Sequence, residues 1–145
     1  MLHVRVNVPP VPEAIEALCE GLVRLNCWYM ETADERGVPT PRLYHPKCGI
    51  TYRREPAGQE WWESAADALG VVSERSGDCE DLANYRTAER RTFFDDPGAR
   101  TRIVRTRRGT FHAITQRGDG TFEDPSRICV ALEWMRTGRK PVSVR

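Results

Sequence analysis

The sequence contains no long hydrophobic run. No apolar stretch approaches the roughly 20 residues that a membrane-spanning helix needs, and the opening MLHVRVNVPP lacks the apolar core of a secretory signal peptide. These absences predict a cytoplasmic protein with no membrane partner. The balance of 39% hydrophobic and 30% charged residues is typical of a folded chain, and a length of 145 residues predicts one domain over 1–145.

Lysine is scarce, and charge of either sign is not in excess. Only Lys47 and Lys140 are lysines, so 22 − 2 = 20 of the basic residues are arginine. A net charge of +1 gives no overall attraction to nucleic acid, and no nucleic-acid partner is predicted. The arginine-rich segment 102–108, RIVRTRR, is interpreted as a solvated strand face in preference to a binding surface.

The cysteines lack the pairing that disulfide frameworks and zinc sites use. Their number, five, is odd, and without a signal peptide a disulfide framework is not expected. There is no C-x-x-C, and HPKC supplies a single pair, His45 and Cys48, so no metal site is predicted. Cys19 and Cys27 fall within an apolar helical pattern and are predicted to be core residues.

The first half of the chain is predicted to be mainly helical. Residues 2–8 alternate in hydrophobicity, which predicts a half-buried strand or a pairing arm within residues 1–11. Residues 37–58 are rich in proline and glycine and are predicted to be a surface loop, and 58–70 a second helix. A long amphipathic helix is predicted to start at Pro12, with an apolar face of Ile15, Leu18, Leu22, Leu25 and Tyr29.

The second half is predicted to form a helix followed by an antiparallel sheet. Ser76 or Asp78 can cap a helix that begins near Cys79, and the DDPG at 95–98 ends it. The fold class predicted from this order is α+β, with a helix packed on a small sheet. The predicted strands are 101–108, 110–117 and 121–126, with a tight turn at 118–120, and a final helix and tail cover 128–145.

Cys79 is the candidate nucleophile because of its place at a helix start. The helix dipole and free backbone N–H groups there stabilise a thiolate, and the same groups can stabilise an oxyanion. A thiol nucleophile also needs a base, usually histidine, and an orienting group for it. Among the three histidines, His112 alone lies in the predicted sheet.

Hairpin geometry places Asp124 beside His112. Counted from Asp119 in the turn, Asp124 lies five residues on and His112 seven back, which makes them diagonal neighbours on one face. Cys79, His112 and Asp124 therefore form a candidate catalytic triad. Taken singly, each also has a structural interpretation, as a packed cysteine, a satisfied strand histidine and a helix cap.

Three stretches together carry a resemblance to a known family. GDCEDLA, FHAIT and DGTFEDPS resemble the transglutaminase-like superfamily of papain-related cysteine enzymes. CGITYRREPAGQEWW is similar to the upstream part of compact members from bacteria and their phages, and the resemblance covers about residues 50–127. It implies a papain/transglutaminase-like core whose catalytic helix packs on the sheet.

The resemblance also implies a chemistry. Cys79 would be the nucleophile, His112 the general base and acid, and Asp124 the group that orients the imidazole. An amide or ester of a protein or peptide substrate would form a thioester on the cysteine, and its acyl group would then pass to water or to an amine. No cofactor is needed for this chemistry. Nothing resembles a calcium loop. Trp61 or Trp62 could help an oxyanion hole, and Glu80 and Asp81 are expected to point away from the sulfur.

Two function classes remain open at this stage. The first is an enzyme, a small cysteine peptidase, amidase or transamidase. The second is a non-catalytic structural or interaction module with the same fold, for example a component of a phage particle, docked through its terminal arms. The second class would place the protein in a virus particle instead of the cytoplasm.

Overall fold

Four helices and five strands are present in a computed structural model that describes residues 5–55, 62 and 76–139. The mixture of helices with a small antiparallel sheet confirms the α+β prediction at this level. The predicted helix over 58–70 lies outside the described residues, apart from Trp62. The helices are α1 Pro12–Glu31, α2 Ala33–Arg36, α3 Cys79–Phe93 and α4 Pro125–Thr137, and the strands are β1 Thr51–Tyr52, β2 Ser76–Gly77, β3 Arg100–Arg105, β4 Phe111–Gln116 and β5 Phe122–Glu123.

The three C-terminal strands form the predicted meander, in the order β3-β4-β5. Both neighbouring pairs are antiparallel, and the second pairs Thr115 with Glu123. Gly118, Asp119 and Gly120 form the turn between β4 and β5, closed by the Arg117 N–H donating to the Thr121 carbonyl. The RGD sequence therefore belongs to this turn. β1 and β2 form a separate, short parallel pair.

Helix α3 is the centre of the packing. All residues from Cys79 to Glu89 are buried, because α1, the sheet and α4 all contact this helix. Short polar side chains fill its contact with the sheet: the Thr101 hydroxyl donates to Asn84 Oδ1 at 2.8 Å, and that of Thr115 to the Ala83 carbonyl at 3.2 Å. Buried polar groups are stable in such positions because they are hydrogen-bonded.

The buried face of α1 differs from the predicted one. Cys19, Val23 and Met30 are buried, while Leu25 is 40% exposed, so the contact lies about one residue further along the helix than predicted. Apolar residues follow two adjacent stripes along this helix, one with leucines and one with cysteine, valine and methionine. Hydrophobic periodicity alone does not show which of two such stripes is buried. The prediction that Cys19 is a core residue is confirmed, whereas Cys27 is only half-buried.

A buried ion network joins α3 to β5. The Arg86 guanidinium donates to both Glu89 and Glu123, and Arg117 donates to the second oxygen of Glu123 at 2.7 Å. Glu89, fully buried, also accepts from the Leu43 N–H at 2.7 Å. The network thus fixes the strand that precedes Asp124 and the loop at residue 43 against the same helix.

The outer edge of β3 is covered by α1. The Ile103 N–H donates to Glu16 Oε1 at 2.9 Å, and Arg102 lies 3.4 Å from the same oxygen. In the arginine-rich segment, Arg105 instead lies over the Phe111 ring, with 5.3 Å between its Cζ and the ring centroid. The predicted strand over 101–108 is therefore shorter in the structure, since Arg102 and Arg105 lie in β3 while Arg107 and Arg108 lie in the turn after it.

Three other sequence predictions need correction. Of the strand and the pairing arm predicted within 1–11, the strand is absent at residues 5–8, where Val6 is 56% exposed, and the arm stays a prediction. The loop at 37–55 is not purely superficial, because it buries Leu43, Cys48 and Ile50. β5 ends at Glu123, and α4 begins at Pro125, since proline suits the first helical position and Asp124 caps it.

None of the helices within 5–55 and 76–139 is long and apolar enough to cross a membrane.

Replacing Arg86 should destabilise the protein strongly. Arg86→Gln leaves Glu89 and Glu123 with one guanidinium fewer in a buried site, which typically costs about 3–5 kcal/mol of unfolding free energy. Arg24→Gln is the matched control, because Arg24 pairs with Glu20 but its side chain is 79% exposed, and it should cost less than about 1 kcal/mol. Urea denaturation of both variants measures the difference; equal costs would contradict the network's role.

Candidate active site

Cys79 is the first residue of α3, behind a complete capping box. Asp78 Oδ1 accepts from the Glu80 N–H at 3.1 Å and from the Asp81 N–H, and Asp81 Oδ2 accepts from the Asp78 N–H at 3.1 Å. Of the two predicted caps, Asp78 is therefore the one used. Asp81 therefore has a structural role, because its side chain accepts from the backbone of the cap.

The cap leaves one amide group at the helix start uncommitted. A helix has four N–H groups without intrahelical partners at its start, and those of Asp78, Glu80 and Asp81 are taken by the capping box. Of these four, the Cys79 N–H alone has no hydrogen-bond acceptor among the described residues. It is next to the sulfur, at the positive end of the helix dipole, where a negative oxygen would be stabilised.

His112 and Asp124 are joined as the hairpin count predicted. His112 Nε2 and Asp124 Oδ2 are 2.8 Å apart, and the register that pairs Thr115 with Glu123 places Asp124 opposite Ile114, two residues from His112. Burial alone would raise the pKa of Asp124, but the hydrogen bond and charge of His112, helped by Arg127, hold it below its ordinary value. Asp124 is thus ionised at neutral pH, and because an ionised carboxylate can only accept, His112 Nε2 is the donor of this hydrogen bond.

Asp124 has a second role in the same place. Its other oxygen, Oδ1, accepts from the Arg127 N–H at 3.3 Å and caps α4. The two interpretations that the sequence left open, imidazole partner and helix cap, are therefore both present, one on each carboxylate oxygen.

The Cys79 sulfur lies beside the strand that carries His112 but is bonded to a different acid. The backbone N–H of Ala113, the residue after His112, is directed at the sulfur. The thiol donates to Glu80 Oε2 at 2.9 Å, and among the described residues no hydrogen bond joins it to His112. The expectation that Glu80 points away from the sulfur is wrong, because the Glu80 side chain folds back over the start of the helix.

The thiol is held in its protonated form. Burial raises the pKa of Cys79 well above its usual range, and the neighbouring charges of Glu80 and Asp78 raise it further, while the Ala113 N–H opposes them. Cys79 is 1% exposed. Burial also raises the pKa of Cys19 and Cys129, each to about 12, and that of the half-buried Cys27.

The carboxyl group of Asp78 lies beside Glu80 and is held in its protonated form. Burial, the charge of Glu80 and a side-chain hydrogen bond to it raise the pKa of Asp78 to about 10. The candidate ligand atoms of Asp78, Cys79 and Glu80 lie within 4.8 Å of one another, close enough for a cation. Their hydrogen bonds with one another account for this proximity without an ion.

The other sequence candidates are placed away from this cluster or outside the described residues. His45 is exposed and accepts from the Lys47 N–H, while Cys48 is fully buried, so this H-x-x-C pair faces in two directions. Trp62 is partly buried against the core, and Trp61 lies outside the described residues.

A comparison of the chain with protein-family models, curated proteins and solved structures finds no match. Sequence reasoning missed Glu80 as a partner of the thiol; the available signal was its position directly after Cys79, in a helix turn that is buried on all sides.

The raised pKa of Asp78 predicts a pH-dependent stability. An acid whose pKa is higher in the folded than in the unfolded chain stabilises fully below the unfolded value, and this contribution is lost as pH rises toward the folded value, here from about pH 4 to about pH 10. Asp78→Asn keeps a good cap but does not titrate. The free energy of unfolding of Asp78→Asn, relative to wild type, should increase from pH 5 to pH 9. Urea denaturation at both pH values measures this, and a difference that is constant with pH would refute it.

Proposed function

We propose that the protein catalyses thiol-dependent acyl transfer on an amide or ester, as a transglutaminase-like cysteine peptidase, amidase or transamidase. The observation that carries the proposal is the 2.8 Å bond between His112 Nε2 and Asp124 Oδ2, on a strand that packs against the helix opened by Cys79. An ionised carboxylate fixes the imidazole as the tautomer with a free lone pair on Nδ1. That nitrogen is buried and has no hydrogen-bond partner among the described residues.

The proposed reaction assigns each group one task. His112 Nδ1 removes the proton from Cys79, and the thiolate attacks the carbonyl carbon of the substrate. The Cys79 N–H donates to the developing oxyanion. The imidazolium then protonates the leaving amine or alcohol, which leaves a thioester on Cys79, and water or a second amine releases the acyl group. Asp124 stays ionised throughout and keeps the ring in place.

Support for the proposed fold family comes from the order and packing of the elements. A cysteine opens a central helix, the histidine follows on β4, which packs on that helix, and the aspartate comes directly after β5, the antiparallel neighbour of β4. The motif spacing of the transglutaminase-like superfamily has this order, so we propose a papain/transglutaminase-like core. The proposed substrate is a protein or peptide, and the proposal needs no cofactor.

One observation favours the second candidate, a non-catalytic structural or interaction module. Cys79 is 1% exposed and bonded to Glu80, which is how a packed cysteine is held. A catalytic role therefore requires the thiol to leave Glu80 and substrate to reach it. In the module, Cys79 would be a core residue, and assembly in a particle would proceed through the terminal arms.

Formation of an acyl-enzyme separates the two functions. With p-nitrophenyl acetate as an activated ester, the wild-type chain should release p-nitrophenol and carry an acetyl group on Cys79, located by peptide mass spectrometry. Cys79→Ala should abolish the adduct at this position. Cys27→Ser is the matched control, because Cys27 is the most exposed of the cysteines and its loss should change nothing. An adduct on Cys27 with none on Cys79 would refute the enzyme.

Asp124→Asn should separate the two roles of this residue. Asparagine caps a helix about as well as aspartate, so the melting temperature should be nearly unchanged. The amide can donate to Nε2, which moves the imidazole proton to Nδ1 and removes the base, and acylation should fall by up to about ten-thousand-fold. His45→Ala is the control for loss of an exposed histidine. A variant that melts and acylates like wild type would eliminate the triad.

A further inference from the structure

The proton of the Cys79 thiol has one acceptor in the structure, Glu80, and a second candidate acceptor on the neighbouring strand β4. Glu80 Oε2 accepts this proton at 2.9 Å, and the Glu80 residue is itself only 9% exposed. The second acceptor, His112 Nδ1, has a lone pair and no hydrogen-bond partner in the described part of the chain. A backbone hydrogen bond from Ala113, the residue after His112, opposes the rise in the pKa of Cys79, so the sulfur lies beside the strand that carries this nitrogen.

A buried carboxylate against a thiol is an unfavourable arrangement for a nucleophile. A negative charge next to sulfur disfavours the thiolate, whereas a positive imidazolium favours it. The contact also needs a particular geometry, because side chains at adjacent helix positions diverge by about 100°. Glu80 must fold back toward the helix start, where its backbone N–H is held by Asp78.

We propose that Glu80 is a positioning residue that holds the Cys79 proton at rest, and that the thiol becomes a nucleophile only by turning from Glu80 to His112. In that step the S–H bond breaks and an N–H bond forms at Nδ1, which gives a thiolate and an imidazolium. The other ring proton stays covalently bound to Nε2 and donates to the ionised Asp124, and no outside reactant is consumed. The use of the thiolate rests on the proposed function, but the hold by Glu80 does not.

The charges around the sulfur agree with this assignment. Asp78, the cap of α3, and Glu80 in its first turn act on the Cys79 sulfur. On α1, the pKa of Cys19 is raised first by burial and then by Glu80, Glu16 and Asp81. Glu55 acts on the same acidic group through Asp78. The sheet contributes His112, with Asp124 behind it. Neutralising Glu80 should therefore lower the pKa of Cys79.

An ultraviolet titration of the thiolate tests the hold by Glu80 without any substrate. The absorbance of each folded protein is followed with pH, and subtraction of the same protein carrying Cys79→Ser isolates the ionisation of Cys79. Glu80→Gln should lower the Cys79 midpoint by one pH unit or more, which is about tenfold more thiolate at a given pH below it. Glu31→Gln is the control, because Glu31 acts on Cys27 and should leave the Cys79 midpoint unchanged.

The double variant Glu80→Gln, His112→Ala tests where the proton goes. If His112 receives it, the midpoint lowered by Glu80→Gln should rise again when the imidazole is absent. A midpoint unaffected by Glu80→Gln overturns the hold by Glu80 and leaves the acyl-enzyme test of the proposed function standing. A midpoint that falls in Glu80→Gln but ignores His112→Ala overturns the transfer to His112, and with it the triad. Glu80→Met, uncharged and of similar length, replaces Glu80→Gln if circular dichroism shows that variant to be unfolded.

Discussion

The bond between Arg86 and Glu123 is the interaction on which the arrangement of the site depends. Arg86 lies seven residues after Cys79, two turns along α3, so both side chains lie near one face of the helix. Glu123 is the last residue of β5 and directly precedes Asp124. Because Arg86 fixes Glu123 to α3, it also fixes the position of the next residue, Asp124, along the helix that Cys79 opens. Asp124 in turn holds His112 through its hydrogen bond to Nε2.

Burial gives this site both its order and its low resting reactivity. The same packing that fixes His112 against Asp124 also removes water from Cys79, and a thiolate without water or a cation is unfavourable. Two protons are kept in this buried acidic environment. One is on the Asp78 carboxyl, whose pKa is raised, and the other is on the Cys79 thiol, which donates to Glu80. The positioning of His112 and Asp124 is therefore separate from the ionisation of Cys79. Ionisation requires the thiol to leave its hydrogen bond to Glu80.

Local signals in the sequence predicted those features that depend on neighbours along the chain. The helix start at Cys79 follows from its aspartate cap, and the His112–Asp124 contact follows from counting across one short turn. The buried stripe of α1 and the direction of the Glu80 side chain were predicted wrongly. Both depend on what packs against a helix from distant segments, which periodicity does not report. The early start of α4 was readable, because an aspartate followed by proline is a helix-start signal.

The carboxylate of Glu16 on the edge of β3 has a consequence for self-association. An exposed strand edge offers unpaired N–H and C=O groups that can recruit another strand and begin a fibril. Glu16 occupies the Ile103 N–H in the middle of that edge and brings a negative charge to it. A second chain adding there would have to displace this carboxylate, so α1 acts as a guard against edge-to-edge aggregation while it contributes to the core.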